Sequence, residues 1–144
     1  MDFARITEFI GNHPILILAF FATLGLLLAT EISRRFSSMR SVGPLEATQL
    51  SNREDAVFLD LREDGEYRDG HIPQAMHIPL KQLPQRVNEL DKLKGRPVIA
   101  YCRSGSRTGS AASVLKKSGI ENVYNLGGGI TAWQNANLPI SRKT

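Results

Sequence analysis

One stretch without charge constrains this 144-residue chain more than any other feature. Between Glu8 and Glu31, the 22 residues 9–30 carry no charged side chain and are mostly apolar. About 20 apolar residues in a helix cross the hydrocarbon core of a bilayer, and such a helix satisfies its own backbone hydrogen bonds. The sequence therefore predicts a transmembrane anchor within residues 1–31, with residues 9–30 in contact with the lipid bilayer.

Two other interpretations of this stretch fit less well. A cleaved signal peptide begins with a basic segment and ends at a small-residue cleavage site, whereas this chain begins with Asp2, Arg5 and Glu8. A buried core helix is shorter and shows a polar face. We therefore expect a retained anchor.

Basic residues on either side of the stretch predict its orientation. Arg34, Arg35 and Arg40 follow it, and only Arg5 precedes it. An excess of Lys and Arg marks the cytoplasmic side of a membrane helix. We expect a single pass through the inner membrane, with the C-terminal part of the chain facing the cytoplasm.

The remaining chain has the length of one domain. Residues 32–43 are predicted to form a polar linker, and residues 44–144 are near the common size of a domain. Cys102 is the only cysteine, which excludes an internal disulfide framework and zinc sites built from several cysteines. A lone thiol suits a reducing compartment. The net charge of +4 is spread without a long basic run, so no nucleic-acid partner is expected.

Strand and helix patterns alternate along this domain. Strands are predicted at residues 56–60, 75–78, 97–101 and 122–126, and helices at residues 83–93, 108–117 and 129–136. Such alternation predicts an α/β fold, a parallel sheet with helices on both faces. In such sheets, ligands bind beyond the carboxyl ends of the strands.

Cys102 is the candidate catalytic residue because it follows the clearest strand. A short polar loop separates it from the next helix: Arg103, Ser104, Gly105, Ser106 and Arg107. A helix N-terminus stabilises an anion, and a cysteine in such a place is held more as thiolate. Gly105 permits a positive φ, which lets the loop amides turn inward. The pattern predicts a nucleophilic thiolate in an anion-binding cradle, although a buried structural cysteine is the commonest alternative.

Three motifs within residues 44–140 carry a family resemblance. They are Asp60-Leu61-Arg62 followed by Glu66-Tyr67 and Gly70-His71-Ile72-Pro73, then Cys102-Arg103-Ser104-Gly105-Ser106-Arg107, then Leu126-Gly127-Gly128-Gly129 with Trp133. In these motifs the domain resembles the single-domain rhodanese family of sulfurtransferases. Gln74 stands where the family usually has glycine. The whole chain is similar to small membrane-anchored rhodanese-like proteins of bacteria.

The resemblance implies a rhodanese-like fold and a two-step sulfur transfer. Cys102 takes a sulfane sulfur from a donor such as thiosulfate, becomes a persulfide, and passes the sulfur to a thiol or to cyanide. The loop residues Arg103 to Arg107 bind the substrate, and Asp60 and Arg62 support the site. No cofactor and no metal is implied beyond the covalent persulfide. Because the chain has no second cysteine, the acceptor thiol comes from a small molecule or another protein.

Two other functions stay open at this point. The domain could serve as a membrane-tethered binding module, with a membrane protein as its partner. Phosphatases and arsenate reductases of the same fold use a C-x5-R loop, whereas Cys102 and Arg107 form C-x4-R, which suits a single sulfur atom better. His71 and His77 match no usual metal-ligand spacing.

Overall fold

The computed structural model describes residues 13–36 and 39–142, which belong to two units divided between Phe36 and Ser37. Helix α1, Pro14–Phe36, is the described part of the first unit. Residues 9–12 of the predicted membrane span lie outside the described residues.

Helix α1 does not meet the requirements of a membrane span. Among the described residues, none of the helices is both long and apolar enough to cross a bilayer. The uncharged part of α1 ends at Thr30, because Glu31, Arg34 and Arg35 belong to its last turns. The anchor predicted over residues 1–31 includes residues 1–12, which lie outside the described residues, and it stays a prediction.

The second unit is an α/β fold, and its described residues 39–142 form a five-stranded sheet with every strand parallel to its neighbours. The strands are β1 (Arg40–Val42), β2 (Val57–Asp60), β3 (Met76–His77), β4 (Val98–Tyr101) and β5 (Val123–Leu126). The helices are α2 (Pro44–Glu54), α3 (Asp64–Asp69), a 3₁₀ helix (Val87–Leu93), α4 (Thr108–Lys117) and α5 (Gly129–Asn135). The sheet order is β1-β5-β4-β2-β3. The parallel sheet confirms the fold class predicted from the alternating pattern.

Side chains of the central strand β4 alternate between two cores, one on each face of the sheet. Val98 and Ala100 pack in the core that includes the 3₁₀ helix and α4, whereas Ile99 and Tyr101 pack in the core of α2 and α5. Successive side chains of a strand point to opposite faces, and strands of parallel sheets are buried on both faces. Helices therefore cover both faces, as predicted.

Several elements differ from the sequence prediction. Strand β1 lies within the segment expected to be a linker, and of its three residues only Val42 is buried. Helices α2 and α3 were not predicted, because α2 buries only Ala47 and α3 buries no residue. The helix expected over residues 83–93 is wrong in its first part, where the chain forms turns. Pro84 disfavours the helical conformation at Leu83, the residue before it, and the later part, Val87–Leu93, is a 3₁₀ helix.

The turn before β3 places Gln74 at a position where glycine is favoured. The N–H of Ala75 donates to the carbonyl of Ile72 at 3.1 Å, which closes a turn with Pro73 and Gln74 at its centre. Gln74 has φ 62°. A turn whose two central residues are a proline and then a residue with positive φ is of type II, and glycine is favoured at the second central position. Gln74 therefore holds a backbone conformation that its Cβ disfavours.

Replacing Gln74 by Gly is expected to stabilise the fold. Relief of the left-handed conformation outweighs the extra freedom of glycine in the unfolded chain, so the free energy of unfolding rises by about 0.5–1 kcal/mol. Urea unfolding followed by the fluorescence of Trp133, the only tryptophan, measures the change. Gln74→Ala is the control, because alanine keeps the Cβ and gains nothing. An equal gain in both variants would contradict the explanation.

Candidate active site

Three neighbouring strands end at the same edge of the sheet, and Cys102 lies there. Tyr101 is in register with Asp60 of β2, and Ala100 with Asn125 of β5. Because the strands are parallel, the residues that follow each of them meet at the carboxyl edge. The structure thus brings the end of β2, the Cys102 loop and the end of β5 together.

The Cys102 side chain is fully buried under its own loop. Its Sγ accepts a hydrogen bond from the N–H of Gly105 at 3.1 Å. Gly105 has φ 87°, and a Cβ at this position would lie 3.1 Å from the carbonyl oxygen of Leu126. Glycine is therefore required both for the curl of the loop and for its packing on the end of β5.

Thr108, the first residue of α4, ties the loop to its surroundings. Its hydroxyl lies 2.7 Å from the carbonyl oxygen of Gly105 and 2.7 Å from Oδ1 of Asn125 in β5. Thr108 is itself buried. One side chain thus holds the loop, the start of α4 and the end of β5 together.

Helix α5 holds the other end of the loop through backbone hydrogen bonds. The N–H of Ile130 donates to the carbonyl of Cys102 at 3.0 Å. The N–H and the hydroxyl of Thr131 donate to the carbonyl of Arg103 at 3.2 and 3.0 Å. Gly129 permits this approach, because a Cβ there would overlap the carbonyl of Cys102 and lie 2.6 Å from that of Arg103.

The remaining predicted binding residues lie on the exposed side of the loop. Arg103, Ser104, Ser106 and Arg107 are exposed, and the two serine hydroxyls are 3.2 Å apart. Arg107 directly precedes α4, and its Nη1 lies 3.5 Å from Oε2 of Glu66 in α3. The loop therefore has a buried thiol beneath it and positive charge on its outer side.

Asp60 and Arg62 form a buried ion pair behind the loop. Nη2 of Arg62 lies 2.7 Å from Oδ2 of Asp60, and Nε lies 3.0 Å from Oδ1. Nη2 also donates to the carbonyl of Gly70 at 2.7 Å. Burial by itself lowers the pKa of Arg62, but the hydrogen bond and charge of Asp60 outweigh burial and raise that pKa. Arg62 therefore stays positively charged, and the negative charge of Asp60 balances it.

Tyr101 fixes the backbone just before Cys102. Its hydroxyl accepts a hydrogen bond from the N–H of Ile72 at 3.1 Å, and the Arg62 guanidinium lies 5.7 Å from its ring centroid. Burial, followed by the charge and hydrogen bond of Asp60, raises the pKa of the Tyr101 phenol well above its usual value. The phenol therefore stays neutral, as its buried position requires.

His71 of the first motif and His77 of β3 have structural contacts. The rings of His71 and His77 both stack on Tyr67, with centroid distances of 3.8 and 4.2 Å. His71 bonds the carbonyl of Tyr67 and His77 that of Arg62. These contacts hold α3 and β3 against the residues after β2.

Sequence reasoning missed several residues that shape the site. Glu66, Thr108 and Thr131 contact loop residues, and Asn125 contacts Thr108. Each is a common polar residue, and apart from the Thr108–Gly105 bond these contacts join residues 17 or more positions apart. The run of three glycines ending at Gly129 was a usable signal, because it predicts a turn and helix start beside the loop.

The family of the chain is shown by comparison with known proteins. Residues 44–136 match the family described as Rhodanese-like domain, so the chain belongs to that family. The match extends over β2, the Cys102 loop and all of α5.

Three related proteins give the extent of the similarity. The uncharacterized protein YibN of Escherichia coli (strain K12) is 38% identical over 139 residues, which is 96% of this chain and 97% of YibN. A sulfurtransferase of Allochromatium vinosum is 40% identical over 92 residues, 64% of this chain and 84% of that protein. The crystal structure of a rhodanese-related protein from Thermoplasma volcanium matches with a TM-score of 0.64. The matched region covers 72% of this chain and 99% of the Thermoplasma volcanium chain. At 24% identity it shows the fold alone.

Removing the charge of Asp60 is expected to destabilise the domain strongly. Asp60→Asn leaves the buried Arg62 guanidinium without its counter-charge, and we expect a loss of about 3–5 kcal/mol in the free energy of unfolding. Glu46→Gln is the matched control, because the Arg40–Glu46 pair has a similar distance of 2.8 Å but is exposed, and exposed pairs contribute little. Urea unfolding measures both. Equal small losses would contradict a structural role for the buried pair.

Adding a methyl group at Gly129 is expected to push the loop away from α5. Gly129→Ala overpacks the contact with Cys102 and Arg103, and should lower the free energy of unfolding by about 1–3 kcal/mol. It should also speed the alkylation of Cys102, whose thiol is otherwise buried. The control is Gly109→Ala in α4, where a Cβ has open space. Unchanged alkylation in Gly129→Ala would show that the loop does not depend on this approach.

Proposed function

We propose that this protein is a sulfurtransferase that carries sulfane sulfur as a persulfide on Cys102. The observation that carries the proposal is the hydrogen bond from the Gly105 N–H to Sγ at 3.1 Å. A backbone donor aimed at sulfur stabilises a thiolate or a persulfide anion without any ionisable partner. The sulfurtransferase from Allochromatium vinosum, which matches 64% of this chain, supports the same class of reaction.

In the first half-reaction, the Cys102 thiolate attacks the outer sulfur of thiosulfate. A bond forms between Sγ and that sulfur, the sulfur–sulfur bond of thiosulfate breaks, and sulfite leaves with the electron pair. The charge of the two reactants is conserved, and no external oxidant is needed. Arg103 and Arg107 lie on the exposed side of the loop and favour the approach of the anion.

In the second half-reaction, an acceptor thiolate or cyanide attacks the outer sulfur of the persulfide. The bond between the two sulfurs breaks, and Cys102 leaves as the thiolate that begins the next cycle. This is covalent catalysis with a ping-pong order. The loop amides act as the electrostatic stabiliser of the anionic sulfur. Because Cys102 is the only cysteine, the acceptor is a separate molecule.

The persulfide is tested by intact mass spectrometry of the full chain after incubation with thiosulfate. We expect a gain of one sulfur atom that cyanide or a thiol reverses. The control is Cys102→Ser, which keeps a side chain of similar shape and should gain nothing. A wild-type chain that gains no sulfur from thiosulfate or another sulfane donor would contradict the proposal, and would favour a partner-binding module instead.

The location predicted from the sequence stays a proposal: the inner membrane, with the domain facing the cytoplasm. It rests on the uncharged run of residues 9–30 and on Arg34, Arg35 and Arg40, which follow that run. Carbonate washing of membranes from cells expressing the full chain tests it. We expect the chain in the pellet; a chain released into the supernatant would contradict the proposal.

A further inference from the structure

A cleft of about 420 Å³ opens beside the Cys102 loop. Residues of α3 and its end form one wall, and residues of the loop and α5 form the other. Its lining residues are Arg62, Glu66, Asp69, Gly70, Arg103, Ile130, Thr131 and Gln134. This volume lies within the range of small-molecule sites and is far larger than thiosulfate or cyanide requires. The cleft therefore has room for an organic substrate.

The charges of the cleft have both signs and come from different walls. Arg103 belongs to the loop wall, where two hydrogen bonds from Thr131 fix its carbonyl. Glu66 and Asp69 belong to the α3 wall, and the carbonyl of Asp69 accepts from Nε of Arg142 at 3.1 Å. The backbone of Arg103 and the backbone of Asp69 are thus each held in place by hydrogen bonds.

The charges of the cleft that have no ion-pair partner among the described residues are one of each sign. The guanidinium of Arg62 is already neutralised by Asp60 at 2.7 Å. Oε2 of Glu66 lies 3.5 Å from Nη1 of Arg107, so the carboxylate of Asp69 and the guanidinium of Arg103 are the charged groups of the lining that have no ion pair among the described residues. Carboxylates repel a dianion and attract a cation. The cleft therefore suits the second substrate of the reaction, provided that this substrate carries a positive group.

We propose that the cleft binds a low-molecular-weight thiol that carries both an ammonium and a carboxylate group, as an amino-acid thiol does. Arg103 pairs with the carboxylate of this acceptor, and Asp69, with Glu66 beside it, pairs with the ammonium. This inference rests on the sulfur transfer proposed above and assigns its acceptor.

The proposed acceptor reacts at the outer sulfur rather than at Cys102 itself. Cys102 does not line the cleft, but Arg103, the next residue, does. A sulfur–sulfur bond is about 2 Å long, so the outer sulfur of a persulfide extends beyond the buried Sγ by that length. The acceptor thiol gives its proton to solvent and attacks this atom. The acceptor leaves as its persulfide and Cys102 as the thiolate, so atoms and charge balance.

The test is the rate at which persulfidated full-length protein transfers sulfur to four thiols. They are L-cysteine with both charged groups, cysteamine with the ammonium only, 3-mercaptopropionate with the carboxylate only, and 2-mercaptoethanol with neither. Rates are compared at equal thiolate concentration, with allowance for nucleophilicity, because both govern thiol attack on sulfur. We expect L-cysteine to react fastest and 2-mercaptoethanol slowest. Loading by thiosulfate and discharge to cyanide are measured separately and report on the sulfur transfer itself.

Two variants should each weaken the preference for thiols that carry one of the two charged groups. Asp69→Asn should lower the rates of L-cysteine and cysteamine relative to 2-mercaptoethanol by roughly three- to fivefold, the effect of one partly exposed ion pair. Arg103→Gln should do the same for L-cysteine and 3-mercaptopropionate. The matched control is Asp91→Asn, which removes an exposed carboxylate paired with Lys94 outside the cleft and should leave the order unchanged.

Three results would overturn the assignment. Four equal rates, or an equal loss of rate for all four thiols in Asp69→Asn, would show that the cleft does not select charge. Discharge by a protein dithiol alone would assign the acceptor to a macromolecule. In each case, normal loading by thiosulfate would leave the proposed sulfur transfer intact, whereas absence of loading would overturn that function.

Discussion

The close backbone approach between α5 and the Cys102 loop is the contact on which the site depends. The carbonyls of Cys102 and Arg103 accept from the N–H groups of Ile130 and Thr131, so they point toward α5. With its carbonyls held there, the loop can turn the N–H of Gly105 toward Sγ. Only glycine fits at position 129. The thiol is thus placed by the backbone of a neighbouring helix, and no histidine base takes part in the contacts described.

The charges around the site are arranged in two layers. The inner layer is the Asp60–Arg62 pair, which is buried and neutral as a whole. It supports the site through Gly70 and Tyr101 instead of supplying a field to the substrate. The outer layer consists of exposed arginines, one of which lies near Glu66. The opposite charges of this buried pair cancel, so the pair attracts an approaching anion only weakly. The approach of an anion therefore depends on the exposed arginines and on the loop amides.

An element or contact could be predicted from the sequence where the residues that determine it are close together along the chain. The strands β2, β4 and β5 and the helix α4 were predicted closely, because each has a dense apolar pattern between turn residues. Strand β1 could not be, because three residues at the sheet edge gain their structure from pairing with β5. The loop around Cys102 was recognised as a unit from its own residues. Its supports, Thr131 and Asn125, were not, because their hydrogen bonds to Arg103 and Thr108 join residues 28 and 17 positions apart, and a single sequence carries no record of such pairs.

The burial of Cys102 bears on which reactions its loop permits. A fully buried Sγ, held at 3.1 Å by the Gly105 amide, can be reached by one protruding atom, such as the outer sulfur of thiosulfate. A tetrahedral phosphate brings several oxygens at once and needs the wider ring of amides that a longer loop supplies. In the proposed reaction, the same burial protects the transfer of sulfur to the acceptor. An acceptor that cannot reach Sγ attacks the outer sulfur and so receives it, whereas attack on Sγ would trap the enzyme as a mixed disulfide. Burial of Cys102 therefore fits the proposed sulfur transfer better than phosphate chemistry or disulfide formation.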